Sequence, residues 1–271
     1  MIEKPLKDKV AIVTGAAGAI GYGICEVLLE EGCTVVATDL PGERLDTFGQ
    51  DLDAIVANQS TTVPLDVTDV DSTKKAFDTV YEKYGRLDIV IHNAGIAHVS
   101  KLVDMDIEKF RFLEKVNVDG TLIILAEAGR QMIKHDKGGD IVVMSTKNVP
   151  SPSAGFGAYS CTKAGCHQLS RIASLEFAPH NIRVNMVAPD AVFSEGKYKS
   201  GLWNLVGEDR MKARKISEDE LHDYYQNRNL LKAKVTGRHV ANAVLYFITR
   251  QSPTTGATIP VDGGLPDATP R

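Results

Sequence analysis

An α/β fold, one doubly wound parallel sheet with helices on both faces, is predicted by three features of the sequence. Short β-branched runs alternate with longer amphipathic segments along the chain. Those runs lack strict polar alternation, as expected of strands covered on both faces. The first run also enters a glycine-rich turn that opens a helix, the arrangement that binds phosphate at a helix N-terminus.

In order, Val10–Val13, Thr34–Ala37, Thr61–Leu65, Asp88–His92, Asp140–Met144 and Ile182–Val187 read as strands. The segments between them read as helices, among them Ala19–Glu31, Val70–Tyr84, Ile107–His135 and Gly157–Ala178, with a last helix over Arg238–Thr249. No repeat or long linker interrupts them, so residues 1–271 are expected to form one domain. Residues 194–232 break the rhythm. This long, charged, helix-prone insertion follows the sixth strand, past the carboxyl end of the sheet where ligands bind in such folds. It is expected to act as a helical substrate lid.

Composition narrows the function classes. Lys plus Arg total 31 against 35 Asp plus Glu, a net charge of −4, which gives no electrostatic footprint for nucleic acid or an anionic membrane. No stretch of about 18 apolar residues suggests a membrane span, and the first residues contain no signal-peptide core. Cys25, Cys33, Cys161 and Cys166 fit neither zinc-site nor disulfide spacing, so no metal is expected. They read as reduced thiols of a cytoplasmic protein.

The nucleotide end is written in the first two strand–turn units. In Val13-Thr14-Gly15-Ala16-Ala17-Gly18-Ala19-Ile20-Gly21, glycine permits the tight turn and lets backbone approach a pyrophosphate. Asp39 ends the second strand about 20 residues on, placed to accept hydrogen bonds from the adenosine ribose hydroxyls, with Leu40 beside it. Such a carboxylate favours NAD over NADP, and Arg44, the only nearby base, lies beyond Pro41-Gly42. Asp66, followed by Val67, could reach adenine or cap the next helix, a task for which Asp69 competes. Asn93-Ala94-Gly95 follows the fourth strand, with small residues against which a cofactor could lie.

The reacting end centres on Tyr159 and Lys163, four apart and therefore on one face of a helix. A free phenol has a pKa near ~10 and is a poor base at neutral pH. A neighbouring ammonium favours the phenolate and makes the phenol a competent proton acceptor from an alcohol. The strand ending in Ser145-Thr146 precedes the pair.

Together, Thr14-Gly15…Gly21, Asn93-Ala94-Gly95, Val116-Asn117-Val118, Tyr159-x-x-x-Lys163, Pro189 and Val261-Asp262-Gly263-Gly264 resemble the short-chain dehydrogenase/reductase family over nearly the whole chain. The resemblance implies a Rossmann-type domain, a homotetramer and a nicotinamide cofactor. It implies Tyr159 as general acid/base, Lys163 beside it and on the nicotinamide ribose, Asn117 holding a relay water, and a hydroxyl thirteen residues before the tyrosine. That position is Thr146, with Ser145 as the alternative. The resemblance also places Pro189, the backbone of Val192 and Ser194 near the carboxamide. Asp190 replaces the usual glycine after Pro189. Ala19 replaces the dehydrogenase subgroup's middle glycine, which leaves glycines at 15, 18 and 21 as in the epimerase branch. Too little chain remains for an epimerase's carboxyl-terminal substrate domain, and retention of Tyr159 and Lys163 argues against a non-catalytic NAD sensor.

A narrower resemblance, carried by Pro189-Asp190-Ala191-Val192, Ser200-Gly201-Leu202-Trp203, Leu230-Leu231-Lys232 and the Val-Asp-Gly-Gly tail, is to a sugar and polyol branch of the family. That branch includes sorbitol-6-phosphate dehydrogenases and the dehydrogenase part of rhamnulose-phosphate aldolase fusions. It implies hydride transfer between NAD and a hydroxyl-bearing carbon of a sugar or polyol, phosphorylated and sulfonated forms included. His98, Lys147, Asn148, Asp190 and Trp203 are the expected substrate residues, and Lys197, Lys199, Arg210, Arg214 and Arg228 make the lid basic. A reductase of another small carbonyl compound is the alternative.

Overall fold

The computed structural model describes residues 4–194, 196–200, 203, 207–208, 210–211 and 215–265. Arg214 and part of the 194–232 insertion therefore lie outside the described residues. Seven parallel strands form one sheet in the order β3-β2-β1-β4-β5-β6-β7. They are β1 (Val10–Thr14), β2 (Thr34–Asp39), β3 (Ser60–Pro64), β4 (Ile89–His92), β5 (Gly139–Met144), β6 (Ile182–Pro189) and β7 (Thr258–Val261). Val13 pairs with Ala37 on one side and Ile91 on the other, so strand order reverses beside β1. The crevice at the carboxyl ends of β1 and β4 is where this topology binds ligands. Pro64, which has no N–H to donate, ends the edge strand β3, where that loss is tolerated.

The helices are α1 (Ala19–Glu30), α2 (Glu43–Ile55), α3 (Val70–Tyr84), α4 (Ile107–Glu114), α5 (Gly120–His135), α6 (Gly157–Phe177), α7 (Glu218–Asn227) and α8 (Gly237–Ile248). Period-two alternation along β1 explains why they lie on both faces. Ala11 and Val13 join a core with Ile24, Leu28, Phe48, Val240 and Val244 from α1, α2 and α8. Val10 and Ile12 join one with Phe77, Ile124, Leu125 and Cys166 from α3, α5 and α6. A Cβ at Gly23 would stand 2.4 Å from the Gly237 carbonyl carbon, so α1 and α8 touch backbone to backbone.

The expected helix over Ile107–His135 is two helices. A π-helical turn, Lys115–Asp119, separates α4 from α5. Its cause is visible at Asn117, whose side chain accepts from Ile96 N–H (3.0 Å) and donates to Ile96 O (2.9 Å) and Thr162 Oγ1 (3.0 Å). Such bulges recur at functional sites.

The insertion has a small core of its own. Ala191, Phe193, Leu221 and Tyr225 are buried with Trp203, Met211 and Ile216 against them. Its helix α7 is started by a capping box between Ser217 and Glu220. Among the described residues, no helix is long and apolar enough to cross a membrane and no group of three or more His, Cys, Asp or Glu side chains converges.

Candidate active site

A cleft of about 470 Å³ runs across the carboxyl edge of the sheet, from Asp39 at one end to Tyr159 and Arg228 at the other. At the nucleotide end, Gly15 (φ +61°) turns the chain into α1, and a Cβ there would meet Ala94 Cα at 2.8 Å. Asn93 locks this turn by donating from Nδ2 to Thr14 O (3.1 Å) and Gly15 O (2.9 Å). A Cβ at Gly18 would meet no protein atom nearer than Gly15 O at 3.6 Å, so its free side faces the cleft. Helix α1 has no side-chain N-cap and no acid in its first turn, which leaves its first N–H groups for an anion.

Asp39 accepts from Ala17 N–H (3.0 Å) and Leu40 N–H (2.9 Å), which fixes its carboxylate at the cleft's end. Asp66 accepts from the N–H (2.9 Å) and hydroxyl (2.8 Å) of Thr68 while lining the cleft, and Asp69 is the cap of α3. These groups and dimensions fit a dinucleotide.

At the reacting end, α6 presents Tyr159 and Lys163, and β5 delivers Ser145 and Thr146 to the same cleft. Lys163 is buried, and its Nζ donates to Met144 O at 2.9 Å. A Cβ at Gly95 would lie 3.2 Å from both Asn117 Oδ1 and Lys163 Nζ, so Asn117 and Lys163 converge behind the Asn-Ala-Gly turn. The two candidate hydroxyls differ in their neighbours. Ser145 Oγ is within 3.0 Å of His167 Nδ1, and burial holds the His167 imidazole below its ordinary pKa. Thr146 Oγ1 accepts only a long contact from Asn148 N–H, 3.3 Å.

A buried chain links the two ends. His92 lies between Thr14 Oγ1 (3.1 Å) and Thr121 Oγ1 (3.0 Å), and Thr121 donates to Asn117 O (2.6 Å). Burial, aided by the Lys163 charge, pushes the His92 pKa down to about 3.

Gly15, Gly18, Ala19, Ile20, Asp39, Leu40, Asp66, Val67, Asn93, Ala94, Gly95, Thr146, Tyr159, Lys163, Pro189 and Val192 all line the cleft, as do Lys147, Asn148 and Asp190. Several expected residues do not. Gly21 lies beneath the turn, where a Cβ would meet Gly15 O at 2.4 Å. Asn117 stands one layer behind. Ser194 is exposed and its hydroxyl accepts from Ser200 N–H (2.8 Å). His98 is not in the lining. Trp203 is turned into the insertion's core, with Nε1 donating to Val192 O (2.9 Å).

Asp190 lines the cleft but is already engaged by Arg228, whose guanidinium bonds both carboxylate oxygens (Nε to Oδ2, 3.1 Å). Lys197, expected over the substrate, instead pairs with Asp51 on α2 (2.6 Å). Next to it, Tyr198 stacks on Tyr22 (4.7 Å between centroids) and bonds the same Asp51.

Arg44 and Phe156 are among the further residues that line the cleft. Arg44 returns to the glycine-rich turn because Pro41-Gly42 reverses the chain, and it donates to Ala17 O at 2.6 Å. Phe156 precedes α6, and its ring lies 5.9 Å from that of Tyr159. Its place three residues before the tyrosine was the available signal.

Residues 9–203 match the short-chain dehydrogenase family model, and the chain belongs to that family. The uncharacterized oxidoreductase YuxG of Bacillus subtilis is 32% identical over 99% of this chain, which spans only 39% of that relative's length. The (-)-isopiperitenol/(-)-carveol dehydrogenase of Mentha piperita is 30% identical over 97% of this chain and 95% of its own. Among solved structures, a variant of actinorhodin polyketide ketoreductase with NADPH superimposes with a TM-score of 0.86 at 25% identity, covering 95% of this chain and 97% of that one. The chain is thus an oxidoreductase of a family that uses nicotinamide cofactors.

Proposed function

We propose that this protein oxidises a hydroxyl-bearing carbon of a sugar or polyol with NAD, or reduces the corresponding carbonyl, as a cytoplasmic homotetramer of single-domain chains. The observation that carries the reading is one continuous cleft holding Asp39 at one end and Thr146, Tyr159 and Lys163 at the other. The dinucleotide would rest on the first turn of α1, with Asp39 on its ribose hydroxyls and Asn93-Ala94-Gly95 against its middle. When bound, the nicotinamide accepts or returns the hydride.

The chain's own groups handle the proton and the geometry. Tyr159 Oη takes the proton of the substrate hydroxyl as the carbon gives up its hydride, and returns it in the reverse direction. Thr146 donates its hydroxyl to the substrate oxygen and orients it, since the Ser145 hydroxyl is held by His167. Lys163, fixed by Met144 O, sets a positive charge beside the phenol, and Asn117 next to it holds the water that relays the proton onward.

Polar lining at this end supports the substrate class. Lys147, Asn148 and Ser153 face the cleft, and Lys147 Nζ donates to Ser153 Oγ at 2.7 Å. Phe112, Val116, Phe156 and Tyr225 line the same cleft and favour a second reading, an apolar secondary alcohol of the kind named for the Mentha relative. A spectrophotometric screen for NADH across aldoses, polyols, their phosphorylated and sulfonated forms, and monoterpenols decides between them. The leading compound should lose about 10² or more in kcat in Tyr159→Phe, with NADH still bound. Faster turnover of monoterpenols than of every sugar and polyol would overturn the substrate class, and wild-type turnover by the Phe variant would overturn the role of Tyr159.

A further inference from the structure

His92 is a buried histidine that the proposed reaction does not use. It ends β4, 2% exposed, with each ring nitrogen against a threonine hydroxyl. The hydrogens around it fix its state. Thr14 Oγ1 accepts from the backbone N–H groups of Asn93 and Ala94, 3.1 Å each, and these amides can only donate. A hydroxyl has two lone pairs and one hydrogen, so the hydrogen of Thr14 goes to His92 Nδ1 at 3.1 Å. Nδ1 is therefore the bare nitrogen. Burial, aided by the Lys163 charge, keeps the ring neutral at working pH, so its single proton is on Nε2. Nε2–H donates to Thr121 Oγ1 (3.0 Å), and the Thr121 hydroxyl donates to Asn117 O (2.6 Å).

The result is a chain of hydrogen bonds pointing one way. It runs from the amides of Asn93 and Ala94 through Thr14, His92 and Thr121 to the carbonyl in the middle of the π-helical turn. Thr14, Thr121 and Asn117 are at least as buried as His92, so bulk water does not replace a missing link. The far end of the chain braces α6 on both sides of Lys163. Asn117 Nδ2 donates to Thr162 Oγ1 (3.0 Å), just before Lys163, and Thr121 Oγ1 lies 3.2 Å from Cys166 Sγ, one turn later. The near end is the Asn-Ala-Gly turn, which lines the nucleotide part of the cleft.

We propose that His92, as the neutral Nε2–H tautomer, is a positioning residue, the middle link that holds Asn117 and Lys163 in register with the coenzyme-binding turn. It does not line the cleft and acts through Thr14 and Thr121. Only this tautomer completes the chain. A proton on Nδ1 would meet the Thr14 hydrogen head-on, and a ring without Nε2–H would take the donor away from Thr121. A doubly protonated ring would set a second cation near Lys163. The inference rests on the proposed roles of Tyr159, Lys163 and Asn117 and deepens them.

Two measurements test this on the full-length enzyme. In the first, histidine labelled with nitrogen-15 at both ring positions is incorporated and the protein is examined by NMR. From about pH 6 to 8, His92 should show a bare Nδ1 and a protonated Nε2 throughout. Thr121→Val should shift the Nε2 signal and leave Nδ1 nearly in place, which assigns the pair.

The second measurement follows kcat on whichever alcohol the enzyme turns over. It compares His92→Phe, which keeps a ring without its nitrogens, with Thr121→Val and Thr121→Ser. His92→Phe and Thr121→Val should lower kcat about tenfold, the effect of displacing the catalytic pair rather than removing it. They should also move the acid-side midpoint of the kcat–pH profile upward, because Lys163 is held less firmly beside the phenol. NADH affinity, read by fluorescence titration, should stay close to wild type, since Thr14 keeps its two amide donors. Thr121→Ser, which keeps the hydroxyl, should restore both kcat and its pH profile. If His92→Phe does not fold, the two Thr121 variants carry the comparison. An Nδ1–H tautomer would overturn the proposal, as would variants that lose stability while kcat and its pH profile stay in place. The labelled spectrum needs no substrate and the kinetics accept any alcohol, so failure of the sugar and polyol reading leaves the assignment of His92 standing.

Discussion

Replacing Asp190 by Asn separates two roles that the sequence alone could not distinguish, a ligand for substrate hydroxyls and a clasp for the lid. In the structure its side chain is 8% exposed and Arg228 is 20% exposed, and the guanidinium also lies 4.3 Å from the centre of the Tyr225 ring. Removing one partner of a buried ion pair costs roughly 3–5 kcal/mol, because the other charge is left unpaired. Residual access to water and the Tyr225 ring reduce that for Arg228, so Asp190→Asn should cost about 2–3 kcal/mol. For a chain of this size that is a fall in Tm of roughly 4–12 °C. Arg228→Gln strands the more deeply buried carboxylate and should cost at least as much. The double variant should recover part of the loss, with a coupling of about 1.5–3 kcal/mol across the cycle. Urea unfolding of the four proteins at pH 7 and one protein concentration measures it. A coupling below about 0.5 kcal/mol, with Asp190→Asn raising KM and leaving Tm in place, would refute the clasp and return Asp190 to the substrate.

Asp39→Ala should move coenzyme preference from NAD toward NADP, read as the ratio of kcat/KM values; better use of NADP by the unchanged enzyme would contradict the assignment. Thr146→Ala should lower kcat more than Ser145→Ala, and the reverse order would transfer the role to Ser145. The His92 pKa is about 3 in the folded chain against an ordinary 6.5. The unfolded chain therefore takes up this proton first as pH falls, and the associated stability is lost from pH 6.5 downward toward 3. His92→Asn should accordingly flatten the dependence of the unfolding free energy on pH between 4 and 6, read by urea titration, by up to about 1.4 kcal/mol per pH unit; an unchanged slope would show that His92 does not titrate out of the fold.

Most of the frame was legible because its signals are local. The strand Val10–Thr14, the turn at Gly15 and the acid Asp39 carry their geometry in neighbouring residues, and the four-residue spacing of Tyr159 and Lys163 is a property of any helix. What escaped depends on contacts far apart in sequence. The π-turn at Asn117 exists because Ile96 and Thr162 claim its side chain, and nothing in Lys115–Asp119 announces either partner. Arg44 looked remote because Pro41-Gly42 was read as distance when it is a reversal. Asp190 looked available because its partner lies 38 residues later, across the insertion. Trp203 looked like a ligand platform, but an amphipathic insertion must first bury its own apolar side chains, and Trp203 with Phe193 and Tyr225 meets that need.

The base of the insertion is tied shut. Phe193 N–H donates to Val235 O at 2.7 Å and Phe193 pairs with Thr236, while Leu230 and Leu231 donate to Gly264 and Gly263 (2.8 and 3.0 Å). Everything between hangs from this knot as a closed bight of chain. Closing a flexible bight costs entropy that grows only with the logarithm of its length, about 0.6 kcal/mol for each doubling. Residues can thus be added to or removed from the bight with little strain on the sheet, provided the knot is kept. The insertion is therefore the part freest to be rewritten in evolution, and the skeleton beneath it can carry a different one without being refolded.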